Sequence, residues 1–151
     1  MAATPLADAW RVNCRHTLFL LQELTQEQLE YQQTARGKTV ASQFRHLGMI
    51  RKAWLEVIDP AAGKSIIPPA AETTSAKEIT TFLTQTGDML AAHLETAETT
   101  GKLKGYKQGP ALFLAYACAH EAHHRGQVLL YLKTGKLPFD KVKSYKLWEW
   151  K

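Results

Sequence analysis

The sequence contains little cysteine, with only Cys14 and Cys118 among its 151 residues. Two cysteines are too few for the disulfide framework that holds small secreted domains together. The N-terminal stretch MAATPLADAW lacks a basic start followed by an apolar block, so we do not expect a secretory signal. These features predict a reduced, cytoplasmic protein.

Long hydrophobic runs are also missing. No apolar run approaches the roughly 20 residues that cross a bilayer, so a membrane protein is not expected. The formal net charge is +5, but Lys and Arg are scattered apart from loose clusters in KLKGYK and KVKSYKLWEWK. Nucleic-acid binders concentrate basic residues on one face or helix. The charge therefore argues against nucleic-acid binding and is compatible with an anionic small-molecule partner.

The length suits one domain, residues 1–151, with a sizeable core. No stretch has the character of a strand, and no internal repeat is visible. Apolar residues recur at helical spacing in four long stretches, at about residues 6–24, 39–58, 75–94 and 110–134. The sequence predicts an all-α four-helix bundle. The connection between the second and third main helices is long enough for a crossover.

Several helix ends carry recognisable signals. The predicted caps and boundaries are the Thr25–Gln28 and Ser75–Glu78 capping boxes, Thr39, Asp59-Pro60, Pro110 and Gly135. The stretch DPAAGKSIIPPAAETT is predicted to be a loop. Its GKS lacks the preceding glycine and strand of a phosphate loop. The aromatic tail SYKLWEW is expected to dock on the bundle or on a second subunit.

The stretch HEAHHRGQ, residues 120–127, places three histidines in five positions. Positions 113, 117, 120, 124, 127 and 131 form one stripe of the last helix, which we expect to face the core. His120 and His124 lie one turn apart on this stripe, which is how a helix offers two imidazoles to one ion. Spacing alone leaves open whether they bind metal or are satisfied within the core.

A third ligand must come from another helix, and His46 is the leading candidate. It lies at the edge of the apolar arc of its helix, where a boundary histidine reaching solvent is the alternative. His123 is rotated by about 100° from His124, so we place it at the surface or at the rim of a pocket. His16 and His93 are expected to be half-buried residues without a ligand role.

The other polar residues near the histidines have less specific predicted roles. Gln127 continues the stripe and either orients a ligand, meets substrate or bonds across helices. Asn13 and Thr17 are candidates for polar pocket lining or for simple boundary positions. Glu121 is rotated by about 100° from His120 and need not be a base, and HEAHH differs from the His-Glu-x-x-His protease motif by one residue. Arg125 is expected to face outward or to pair with a carboxylate.

Two stretches resemble sequence features of the DinB-like (DinB/YfiT-like) family of metal-binding four-helix bundles. TVASQFRHLGMIRKAWLEV resembles its second main helix, and HEAHHRGQVLLYLK resembles its final helix. LTQEQLEYQ and YKLWEW also resemble the family, so the resemblance spans nearly the whole chain. It implies that His46, His120 and His124 bind a divalent ion, with zinc and nickel as the expected metals.

The resemblance also implies an open position on the metal for water or a thiol. Members of the wider family include metal-dependent hydrolases, and transferases or isomerases that use mycothiol or bacillithiol, and homodimers are common. We therefore expect a metal-dependent hydrolase or a thiol-dependent S-transferase that acts on a small molecule. No general base is obvious, so the catalytic group would be water or a thiolate on the metal. The alternatives are a non-catalytic metal-binding, ligand-binding or stress-response module and a bundle with a structural metal.

Overall fold

The computed structural model describes residues 4–150, and they form an all-α fold without a β-strand in that range. The α-helices are α1 (Pro5–Gln22), α2 (Gln26–Glu30), α3 (Val40–Ile58), α4 (Pro60–Ser65), α5 (Ala76–Thr100), α6 (Pro110–Thr134) and α7 (Lys141–Ser144). A 3₁₀ turn, Tyr145–Trp148, follows α7. The four long helices α1, α3, α5 and α6 form the predicted bundle.

Most of the predicted helix boundaries are confirmed. Thr25 forms a complete capping box with Gln28, and the Thr39 hydroxyl accepts a hydrogen bond from the Ser42 amide. The prediction of a loop after Asp59 is wrong for its first part, Pro60–Ser65, which forms α4. The Asp59 carboxylate caps this helix by accepting a hydrogen bond from the Ala62 amide. An Asp N-cap followed by proline is a local start signal that needs no long apolar period.

The two hydrophobic clusters fix the directions of the long helices. One cluster joins the N-terminal parts of α1 and α6 to the C-terminal parts of α3 and α5, and the other cluster joins the opposite ends. Helices α3 and α5 therefore run parallel to each other and antiparallel to α1 and α6. Because α3 and α5 also pack together, residues 59–75 must return along the bundle. This confirms the crossover connection.

The buried stripe of α6 differs from the predicted one. Its members are Leu114, Ala117, Glu121, Arg125, Val128 and Leu132. The predicted stripe is buried only at its start, and from His120 onward its residues are half-buried. The error arose because the buried stripe contains two charged residues, whereas the neighbouring stripe is apolar or aromatic at both ends. The histidine pair therefore lies at the margin of the core.

The aromatic tail docks on α1 of the same chain. The His16 Nε2 atom lies 3.0 Å from the Glu149 carbonyl oxygen, and the His16 and Trp150 rings meet edge to face with centroids 5.2 Å apart. Lys146 lies over the Phe19 ring. Of the two predicted docking positions for the tail, the structure shows the one on the bundle of the same chain.

Candidate metal centre

Three histidines from two helices meet at the margin of the bundle. His46 comes from α3, and His120 and His124 come from successive turns of α6. The ring centroids of His46 and His124 are 4.7 Å apart, as are those of His120 and His124. Each residue offers one nitrogen, and the three nitrogens lie within 4.8 Å of one another. This group could hold a metal ion.

The antiparallel packing of α3 and α6 brings these residues together. His120 and His124 project from one face of α6 because they are four residues apart. His46 lies beside the buried arc of α3, so its ring reaches the seam between the helices. All three side chains are half-buried. This exposure differs from that of a closed structural site and leaves the group accessible from solvent.

The side chain of Gln43 contacts one of the three rings. His124 Nδ1 lies 2.9 Å from Gln43 Oε1, and Nδ1–H can donate to this amide oxygen in neutral His124. Nε2 then carries the lone pair that a metal requires. Metal-binding histidines usually make such a hydrogen bond with their second nitrogen. Gln43 was not predicted from the sequence, although its position three residues before His46 was an available signal.

His120 has an unpartnered nitrogen. Its Nδ1 atom is buried and has no hydrogen-bond partner within the described part of the chain. Buried polar atoms normally have a partner. An orphaned imidazole nitrogen within a three-histidine group fits an ion that the polypeptide itself does not supply, so the residues present fit a divalent metal.

The protonation equilibria also favour metal binding. Burial lowers the pKa of His46 and His120, and burial together with the neighbouring histidines lowers the pKa of His124 to about 4. A metal binds the neutral imidazole, not the protonated one. At neutral pH the three side chains are therefore in the form that can coordinate an ion.

Aromatic side chains line one side of the group. The Trp54 ring meets His120 edge to face at 5.9 Å between centroids, and the Tyr116 ring stacks on His120 at 6.2 Å. His123 is exposed and lies edge-on to His124 at 5.5 Å, which is a position at the rim. Gln127 is half-buried one turn beyond His124, and its role stays a prediction.

A buried charged network lies behind the histidines in the bundle core. Arg51 donates from Nε to Glu121 Oε1 at 2.6 Å and from Nη2 to Glu121 Oε2 at 2.8 Å. Arg51 Nη1 donates to the Leu83 carbonyl at 2.7 Å. Asn13 and Thr17 donate to Glu121 Oε2 at 2.8 and 2.9 Å. The network joins all four long helices.

The network corrects two expectations. Arg125 does not face outward: it is buried, it donates to Asn13 and Thr17, and its Nη1 lies 3.8 Å from Glu121 Oε2. The alternative expectation, that it pairs with a carboxylate, fits this position. Asn13 and Thr17 are fully buried and belong to the network, so they do not provide the polar pocket lining suggested for them.

Glu121 is unsuited to proton transfer. Burial alone would raise its pKa, but Arg51, Thr17 and Arg125 hold the pKa below its usual value. The carboxylate is therefore ionised, paired and inaccessible, which agrees with the expectation that it need not be a base. His16 and His93 lie outside the group: His16 is beneath the tail, and His93 faces Asp59 at 3.9 Å.

Comparison with known protein families identifies the family of the chain. The model of the DinB family matches residues 2–135, which include α3, α6 and all three histidines. No curated protein and no solved structure matches the chain. None of the helices between residues 4 and 150 is long and apolar enough to cross a membrane.

Proposed function

The chain belongs to the DinB family, and we propose that it is a metal-dependent enzyme that holds one divalent ion through His46, His120 and His124. The meeting of three neutral imidazoles within 4.8 Å carries this proposal. The expected reactions are hydrolysis of a small molecule or transfer to a low-molecular-weight thiol. Zinc and nickel are the proposed metals because imidazole suits both.

Each surrounding residue has a distinct part in this proposal. When bound, the ion supplies a Lewis acid that activates a water molecule or a thiol. His46, His120 and His124 would supply three protein ligands and leave the ion open to one of these. Gln43 fixes the orientation and tautomer of His124, and Trp54 shields one side of His120 from water. We expect Tyr116, His123 and Gln127 to contact a bound molecule.

The charged network argues against a purely structural metal. Arg51 on α3 already binds Glu121 on α6, and both hydrophobic clusters contain residues of α3 and α6. An ion is therefore not needed to hold these helices together. A homodimer and a cytoplasmic location remain part of the proposal.

Metal content measured by elemental analysis tests the proposal. Wild-type protein without a polyhistidine tag should contain about one ion per chain, and His46→Ala and His124→Ala should each lose it. His93→Ala and His123→Ala are matched controls that should retain it. Metal absent from wild type after supplementation, or retained in both ligand variants, would show that the three histidines do not form the site.

A reaction screen tests the enzymatic part. Metal-loaded wild type should hydrolyse a member of an ester and amide panel, or conjugate an electrophile with a thiol such as bacillithiol or mycothiol. The His124→Ala variant should lose this activity while retaining its helical circular dichroism spectrum. A metal-loaded protein inactive across both panels would favour the non-catalytic alternative.

A further inference from the structure

A second surface feature begins one helical turn from His120. A cleft of about 360 Å³, here called the Tyr116 cleft, is lined by Tyr106, Gln108, Gly109, Leu112, Phe113 and Tyr116. Its volume falls within the range of small-molecule sites, which combine apolar and aromatic walls with a few polar groups. Leu112 and Tyr116 are more than half exposed.

Aromatic contacts make this cleft continuous with the candidate metal centre. Tyr116 forms the wall of the cleft and also stacks on His120, with ring planes inclined by 27°. Trp54 contacts Phe113 and Tyr116 at 5.4 and 5.9 Å between ring centroids, and it also contacts His120 at 5.9 Å. A molecule lying in the cleft would therefore have one end beside a metal ligand.

The other end of the cleft meets a basic loop. A neighbouring cleft formed by residues 100–107 and 109 shares Tyr106 and Gly109 with the Tyr116 cleft. Lys102, Lys104 and Lys107 line it and are exposed. Within the described chain, no acidic residue lines either cleft. A cleft lined by lysines and by no acidic residue has a local positive potential that attracts anions.

The loop is held against the bundle. Leu103 is buried in the core, and the Tyr106 ring packs on Phe113 with centroids 4.6 Å apart. Gly105 has a φ of +81°, and a Cβ there would lie 2.1 Å from Val57 Cγ1, so this turn requires glycine. The three lysines are therefore presented from an anchored loop.

We propose that the Tyr116 cleft binds the apolar part of an anionic substrate and that Lys102, Lys104 and Lys107 bind its anionic group. The substrate class is a small aryl or alkyl carboxylate or phosphate whose reacting bond lies beside His120. This inference rests on the proposed function, because it treats the three histidines as the reaction centre. It adds the chemical class of the substrate, which the histidines alone do not specify.

Direct binding of simple probes tests the proposal without requiring turnover. Isothermal titration calorimetry or ligand-observed NMR would measure the binding of 3-phenylpropionate, which carries a carboxylate, and of phenethyl phosphate, which carries a phosphate. The uncharged 3-phenylpropan-1-ol and the ring-free propionate serve as ligand controls. Binding of either aryl anion should exceed that of the alcohol by about fivefold, the order expected for one exposed ion pair. Equal binding of anion and alcohol would overturn the role of the lysines.

Matched variants locate the probe. Leu112 and Leu130 lie on the same helix and are each 57% exposed, but only Leu112 lines the cleft. Leu112→Asp should weaken 3-phenylpropionate binding by at least about tenfold, because it places a carboxylate beside an anion. Leu130→Asp should leave binding unchanged. Equal effects of the two variants, or none, would overturn the proposal.

Two charge-reversal variants test whether the loop lysines bind the anionic group. The double variant Lys104→Glu/Lys107→Glu should abolish the preference for the anion, whereas Lys133→Glu at the far end of α6 should retain it. Metal content is measured on every sample, so failure of the metal centre is seen separately. Normal metal content without probe binding would reject the cleft alone. Probe binding to a wild type that takes up no metal would reject the reaction centre and leave only an anion-binding cleft.

Discussion

Arg51 and Glu121 form a buried ion pair between the two helices that carry the candidate metal ligands. Both side chains are inaccessible, and two hydrogen bonds join the guanidinium to the carboxylate. Arg51 lies five residues after His46, and Glu121 follows His120 directly. The pair therefore fixes the relative position of the helices close to the histidines.

Replacement of Glu121 by glutamine should strongly destabilise the protein. The variant leaves the buried Arg51 and Arg125 guanidinium groups without a counter-charge, and breaking a buried pair in this way costs about 3–5 kcal/mol. Urea unfolding would measure the loss. Glu95→Gln, which removes an exposed partner of Arg11, should cost no more than about 1 kcal/mol. Similar costs for the two variants would contradict a central role of the network.

Replacement of Gln43 should weaken metal binding without unfolding the protein. Gln43→Ala removes the acceptor that orients His124, and loss of such a partner typically costs 10–100-fold, or about 1.4–2.8 kcal/mol, in metal affinity. Gln43→Glu retains an acceptor and should bind metal more tightly than Gln43→Ala. The exposed Gln85 on α5 provides the control variant Gln85→Ala. Competition with a chromophoric chelator would give the affinities, and equal affinity in all three variants would argue against an orienting role.

The metal-free protein should lose stability in mildly acidic solution. Burial and the neighbouring histidines lower the folded-state pKa of His124 to about 4, whereas an unfolded histidine has a pKa of about 6.5. Between these values the unfolded chain binds more protons, so the free energy of unfolding falls as pH falls. His46 and His120 shift in the same direction. Urea unfolding between about pH 7 and pH 4 should show that the free energy of unfolding declines less steeply in His124→Ala than in wild type. An unchanged slope would contradict the lowered pKa of His124.

The long helices and the histidine pair of α6 could be predicted from the sequence for the same physical reason. Apolar residues in α3 and α6 repeat with the helical period, and His120 and His124 share a face through the same period. His46 was identified from its place at the edge of an apolar arc and from the resemblance. These features depend on one helix at a time, so they can be read without knowing the helix partners.

The charged network was missed because its partners lie on different helices. Arg51 lies on the buried face of α3, at a position where an apolar residue is expected. The other residues of this arc are Val40, Phe44, Leu47, Trp54 and Ile58. A charged residue at such a position indicates a buried partner. Periodicity does not say which residue that partner is. Glu121 is rotated by about 100° from His120, so a histidine stripe that faces the core predicts no buried carboxylate at this position. Gln43 was missed for the same reason, because its hydrogen bond crosses from α3 to α6.

Two helix glycines should respond oppositely to alanine. A Cβ at Gly48 would lie 2.4 Å from Cε1 of the buried Phe82 ring, so Gly48→Ala should overpack the α3–α5 contact and cost about 1–3 kcal/mol. Gly126 has no neighbouring atom within 4 Å of such a Cβ. Because alanine has the higher helix propensity, Gly126→Ala should stabilise by about 0.5–1 kcal/mol. Thermal unfolding compares the variants, and a stabilised Gly48→Ala would contradict the observed packing.

Removal of the metal should abolish activity and leave the bundle folded. The Arg51–Glu121 pair and the two hydrophobic clusters hold α3 against α6 without the histidines, so a chelator-treated protein should retain its helical circular dichroism spectrum. Because the metal binds the folded chain and not the unfolded chain, it should still raise the melting temperature in proportion to the logarithm of metal concentration. Glu121→Gln should show the reverse pattern, with a low melting temperature even when loaded. Unfolding of the wild type on chelation would instead support a structural metal, since structural sites contribute their binding energy directly to folding.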